Sequence, residues 1–329
     1  MLDDGTAVDR IVPILGFVLL SAMVVVLLAF TVYQSWVQHS ALGIVVTLSL
    51  VGAVYEMVRE SRRVPCVQLG EVLSCESALN VVGVLGGALL AYSLSVDVGL
   101  GAVTAAGLVG LVAALVVPNY AVPVYCGSFV GMTSARLLIS HWDVAIAGGV
   151  AAVLYVLTSC AYPGFGGKLG TIAFAGSVIT GLGLDREFLI TEIPEPAVAL
   201  VIVLCSVAAA VITYWLSITL GHGPVIASGI VGISGGLVLP AIYPETGGTL
   251  AVMAICASFA GMSSRPQFPR WWMMLVVGLL TGLVFVNSMP LLGGAGGKLG
   301  TIAFGSCLAV RGYLDLIERS RPLPACDAP

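Results

Sequence analysis

Lysine is almost absent from this chain: it occurs only twice, at Lys168 and Lys298. Charge of either sign is scarce, at 9% of residues, against about 25% in an ordinary soluble domain. A chain that is 59% hydrophobic with so little charge has no means of covering its surface in water, so lipid is the expected solvent. Basic tracts are missing and the net charge is −4, which argues against a nucleic-acid partner. The eight cysteines, at 66, 75, 126, 160, 205, 256, 307 and 326, form no CxxC and no Cys/His ligand spacing. Reduced thiols are expected, with no disulfide framework, no metal site and no cofactor. Also missing are Gly-x-Ser-x-Gly, His-Glu-x-x-His and any pair of carboxylates inside an apolar run, so the chain is not expected to be an enzyme.

What is present is a series of about twelve apolar segments: 11–33, 41–58, 78–96, 98–117, 120–134, 143–161, 168–184, 197–221, 223–242, 248–263, 271–288 and 298–311. The first follows Met-Leu-Asp-Asp-Gly-Thr-Ala-Val-Asp-Arg, which lacks a basic leader, and reads as a membrane span. Several others fall short of the roughly 20 residues that a straight span needs, and 120–134, 168–184 and 298–311 read as half-helices or re-entrant segments. With a cytoplasmic N-terminus and all segments crossing, Arg10, Arg59, Arg62, Arg63, Arg265, Arg270, Arg311, Arg319 and Arg321 fall inside, and only Arg136 and Arg186 fall outside. That bias predicts an integral protein of a prokaryotic cytoplasmic membrane with both termini cytoplasmic. The outer loops collect Asp97, Asp185, Glu187, Glu192, Glu195 and Glu245.

Both lysines lie in the same nine-residue string, Gly-Gly-Lys-Leu-Gly-Thr-Ile-Ala-Phe, at 166–174 and 296–304. A second string shares the offset: Cys126-Gly-Ser-Phe-Val-Gly-Met-Thr-Ser134 matches Cys256-Ala-Ser-Phe-Ala-Gly-Met-Ser-Ser264, and Trp142 matches Trp272. Two strings in one register indicate an internal duplication. Repeat one covers 68–190 and repeat two 198–317, preceded by a two-span extension and loop over 1–67 and followed by a cytoplasmic tail over 318–329. Each repeat holds five apolar segments, and an odd number turns the second copy upside down in the membrane. The expected fold is an all-α polytopic membrane protein with two five-segment inverted repeats, glycine-rich broken or re-entrant helices and two N-terminal spans.

Helix-breaking stretches precede both lysines, with Pro163 and Pro290 stopping one helix and glycines allowing the turn into the next. Each lysine therefore opens a helix, where the dipole is already positive and an ammonium is unfavourable. A negatively charged ligand would resolve that conflict, because free backbone N–H groups, the dipole and the ammonium would meet it together. The spacing does not fit a nucleotide-binding Gly-x-x-x-x-Gly-Lys-[Ser/Thr] loop. Every Asp and Glu reads as a loop or segment-end residue, so no buried carboxylate is expected to serve a cation. The candidate anion site comprises Lys168, Lys298, Gly166, Gly167, Gly296, Gly297, Thr171 and Thr301, with Ser128, Ser258, Ser134 and Ser264 as polar lining. Competing readings are snorkelling of the lysines to the headgroups, and packing through Gly131 and Gly261 with hydroxyls bonded to their own helix. Phe129, Phe259, Met132 and Met262 read as packing or a hydrophobic gate. The sequence points to a transporter or channel for a small inorganic anion or carboxylate, in contact with membrane lipid and with homo-oligomers left open. A carrier of a neutral or cationic solute and a non-transporting scaffold or lipid-binding protein are the alternatives.

Overall fold

A computed structural model describes residues 7–62 and 75–317. Arg63, Cys66, Arg319, Arg321, Cys326 and the tail over 318–329 lie outside the described residues. The fold is 77% helix, with no strand among the described residues. Twelve α-helices are described: α1 (Ala7–Gln38), α2 (Ser40–Glu60), α3 (Cys75–Val96), α4 (Ala102–Val116), α5 (Ala121–Val130), α6 (His141–Leu157), α7 (Lys168–Gly183), α8 (Pro196–Tyr214), α9 (Pro224–Ile242), α10 (Gly247–Gly261), α11 (Met273–Ser288) and α12 (Lys298–Ile317). Five stretches, Ile14–Gln38, Ser40–Glu60, Glu76–Val96, Pro196–Thr219 and Pro224–Ile242, are long and apolar enough to cross a membrane, as a membrane-embedded protein requires. The remaining apolar helices are shorter.

The helix starts follow from local chemistry. Pro196 and Pro224 stand at the first position of α8 and α9, where the missing N–H costs nothing. Ser140 caps α6: its Oγ accepts from Asp143 N at 3.1 Å, while the Asp143 carboxylate takes Ile139 N at 3.0 Å. This reciprocal arrangement satisfies two donors that the helix itself leaves open. Gly167 and Gly297 precede α7 and α12 at φ 84° and 83°, backbone that a side chain would strain.

Matching contacts recur among α3–α7 and α8–α12. α3 lies on α5 and α6, and α8 lies on α10 and α11. α4 packs directly on α9, and α7 on α12. Residues at equivalent positions meet each other: the Phe129 and Phe259 rings are 4.4 Å apart, and a Cβ on either Gly170 or Gly300 would overlap the other's Cα. Left-handed backbone recurs at matched positions, at Tyr162 and Leu292 (φ 53° and 44°) and at Gly164 and Gly294 (φ 75° and 81°). α1 and α2 pack on each other, with α2 against α12 and α1 reaching the loop before Lys168, where Phe17 stacks on Tyr162 at 4.8 Å.

One expectation fails. Carboxylates are buried within the fold: Glu56 lies inside α2, Glu60 ends α2 and Asp315 stands in the last turn of α12, at 1%, 2% and 8% exposure. Arg59 pairs with Asp315, and Arg311 grips the same carboxylate with Nη2 at 2.5 Å and Nε at 3.1 Å. The cluster sits where α2 crosses α12 at Gly52 and Gly312, and opposite charges allow the carboxylates to be buried there.

Candidate functional site

The glycine–lysine loops fold back on themselves. Lys168 Nζ donates to the carbonyls of Thr158 at 2.6 Å and Ser159 at 3.1 Å, at the C-terminal end of α6. Lys298 Nζ donates to Ser288 O at 2.7 Å, Met289 O at 3.3 Å and Leu291 O, at the end of α11. Each ammonium thus opens one helix and caps the previous one, where unpaired carbonyls and the negative end of the dipole welcome a cation. The electrostatic conflict seen in the sequence is therefore met within the chain, by carbonyls ten residues upstream.

The loops are also exchanged between halves. Gly166 N donates to Ser263 Oγ at 3.0 Å, and Gly296 N to Thr133 Oγ1 at 3.0 Å. Ser264 N donates to Gly164 O and Ser134 N to Gly294 O, both at 2.8 Å. The Ser-Phe-x-Gly-Met string of each half is therefore the seat for the other half's glycine loop. Thiols complete the framework, with Cys126 Sγ on Leu169 O at 3.4 Å and Cys256 Sγ on Leu299 O at 3.2 Å.

The halves differ at the lysines. A cavity of about 230 Å³ is lined by Ser159, Gly166, Gly167 and Lys168, with Phe129 and Phe259 on its wall. Val122 and Pro224, at the starts of α5 and α9, also line it. Val122 and Phe129 are seven residues apart on α5, about 10 Å along the helix at helical rise. Lys168 is the single charged side chain of the lining. An ammonium has three N–H donors. Two of Lys168's are taken by carbonyls, and the residue lines the cavity. Lys298 is 8% exposed and all three of its donors are taken.

Of the residues singled out in the sequence, Gly166, Gly167 and Lys168 meet at this cavity, while Gly296, Gly297 and Lys298 do not line it. Ser128 Oγ bonds Tyr125 O, and Ser258 Oγ bonds Ile255 O, each at 2.7 Å on its own helix. Ser134 and Ser264 reach the opposite loop through their backbone N–H, and Ser134 Oγ accepts from Arg136 N at 3.2 Å. Thr171 Oγ1 lies 3.4 Å from Gly167 O, and Thr301 Oγ1 is buried without a hydrogen-bond partner. Sequence reasoning missed a hydroxyl chain beside the phenylalanine pair: Tyr125 OH to Ser228 Oγ at 2.8 Å, then Ser228 Oγ to Ser258 Oγ at 2.7 Å. Its one sequence signal is that the repeat places Ile255 opposite Tyr125. Elsewhere, Ser93 Oγ and Asp97 Oδ2 both contact His141, but at the same nitrogen, Nε2, so they form no serine–histidine–aspartate relay. Searches of protein-family models, curated proteins and solved structures return no match for this chain.

Proposed function

We propose that this chain is a membrane transporter for a small anion, built from two inverted five-helix halves, with Lys168 as the cargo contact in the state described. The cavity at Lys168 carries the reading: its one charged lining residue is a cation, beside glycine backbone and the Ser159 residue. The self-paired contacts at Gly170–Gly300 and Phe129–Phe259 support a two-fold relation, since equivalent residues meet only on such an axis. With a cytoplasmic N-terminus and all twelve segments crossing, as the arginine bias supports, the Lys168 cavity faces the cytoplasm and the Lys298 loop faces outward. One lysine open and its counterpart closed is the asymmetry expected of a carrier that alternates access, with the phenylalanine pair between the two.

The test is anion flux in proteoliposomes. Lys168→Met is expected to lower chloride or sulfate flux at least tenfold per folded protein, and Lys168→Arg to retain part of it. Unchanged flux in Lys168→Met rejects Lys168 as the cargo contact. A second reading rests on the carbonyl bonds: if the lysines only tether helix ends, cargo is neutral or cationic and is coordinated by loop carbonyls. Flux that follows sodium or potassium rather than the anion selects that reading.

A further inference from the structure

Residues 185–195 join the two halves, and we propose that they form a lid over the Lys298 loop, closing it on the side away from the cavity. This rests on the carrier reading above and identifies its second gate. The segment leaves α7 through Asp185, at φ 52°, and is pinned at its base by Arg186: the backbone N–H donates to Gly181 O at 2.9 Å, and Nη2 donates to Asp143 Oδ2 at 3.2 Å. Its tip makes a two-bond antiparallel bridge to the second glycine loop, Leu189 N to Gly293 O at 2.9 Å and Gly293 N to Leu189 O at 3.0 Å. A Cβ on Gly293 would collide with the Leu189 carbonyl, and one on Gly294 would crowd the Leu189 side chain. The backbone clash at Gly293 is the one that makes docking depend on glycine.

The first loop is built to refuse such a lid. The residue equivalent to Gly293 is Pro163, which has no N–H to complete the bridge. Pro163 O instead accepts from a side chain, Gln267 Nε2, at 2.9 Å. Among the described residues, the loop with the proline lines the cavity and the loop with the glycine pairs with Leu189, a difference written in the sequence at positions 163 and 293. Phe188 and Ile193 anchor the lid against the core, and its tip is the lightly held part. Ile190 is 86% exposed, Thr191 and Glu192 are also exposed, and the tip bridge has two hydrogen bonds, the profile of a segment that opens locally. Asp185, Glu187, Glu192 and Glu195 outnumber Arg186 along it, so the closed lid places a negative surface over the loop and disfavours anion entry from that side.

Having just two lysines makes the lid testable. The full chain in lipid nanodiscs is treated with a membrane-impermeant amine acylating reagent, and each lysine is followed by mass spectrometry. In wild type, Lys298 is expected to react at least tenfold more slowly than Lys168. Gly293→Ala keeps the N–H but unseats Leu189, and Arg186→Gln frees the base without touching the loop. Either is expected to raise the Lys298 rate severalfold or more, with faster hydrogen exchange at the Leu189 amide. Faster Leu189 exchange with an unchanged Lys298 rate overturns the lid. So does a Gly293→Ala protein in which neither quantity moves. No cargo is needed, so the lid is judged separately from the anion: a positive lid result with no chloride or sulfate flux leaves the lid standing and removes the anion, and the reverse pattern does the opposite.

Discussion

Replacing each lysine by methionine separates their two roles. Lys298 is buried and gives all three donors to carbonyls at the end of α11. A hydrogen bond to a charged group contributes about 1.5–3 kcal/mol. The 3.3 Å contact to Met289 O counts for little, which leaves two short bonds worth about 3–6 kcal/mol together. Removing a buried charge recovers part of that, since its desolvation cost disappears. A net loss of about 3 kcal/mol follows for Lys298→Met, more than a hundredfold in the folded-to-unfolded ratio. Lys168 gives two donors and borders an open cavity, where water replaces part of what the ammonium supplied. Lys168→Met is expected to lose about 1 kcal/mol by the same accounting. Denaturant unfolding of both variants in the same detergent, followed by tryptophan fluorescence, measures the difference. Equal losses, or a greater loss at Lys168, would refute the difference in burial and water access on which the asymmetry rests.

Two further outcomes follow. Gly170→Val is expected to prevent folding or cost several kcal/mol, because branched carbons would enter the space of Gly300 Cα where α7 meets α12; expression and thermal unfolding check this. Phe259→Leu is expected to loosen the contact with Phe129 and produce a constitutive anion leak, seen as dissipation of a chloride gradient without exchange substrate; a tight Phe259→Leu protein removes the pair as a gate.

Much of the framework was legible in the chain. The apolar segments coincide with the twelve described helices to within a few residues at most ends, because glycine and proline clusters mark the breaks. The placement of both lysines at a helix start was legible for the same reason. What the ammonium touches was not, because its carbonyl partners depend on the loop turning back over α6 and α11, through left-handed backbone at Tyr162 and Leu292 that no local preference announces. The seating of each loop on the opposite half was equally hidden: Gly166 meets Ser263 and Gly296 meets Thr133 across separations of 97 and 163 residues, and a repeat read in one dimension does not say which copy faces which. Glu56 and Glu60 looked like segment-end residues since they stand beside Arg59, Arg62 and Arg63. Only the crossing of α2 on α12 buries them with Asp315. The Pro163–Gly293 mismatch stands in the sequence, but its meaning depends on Leu189 docking on one of the two.

The most direct test is whether an anion occupies the Lys168 cavity. Acylation of Lys168 in the full chain is measured at constant ionic strength as chloride or sulfate replaces a bulky sulfonate that exceeds the cavity. Saturable shielding of Lys168 at millimolar anion, with the Lys298 rate unchanged and no response to swapping sodium for choline, is the predicted result. A Lys168 rate indifferent to every small anion, or one that responds only to the cation, would contradict the account.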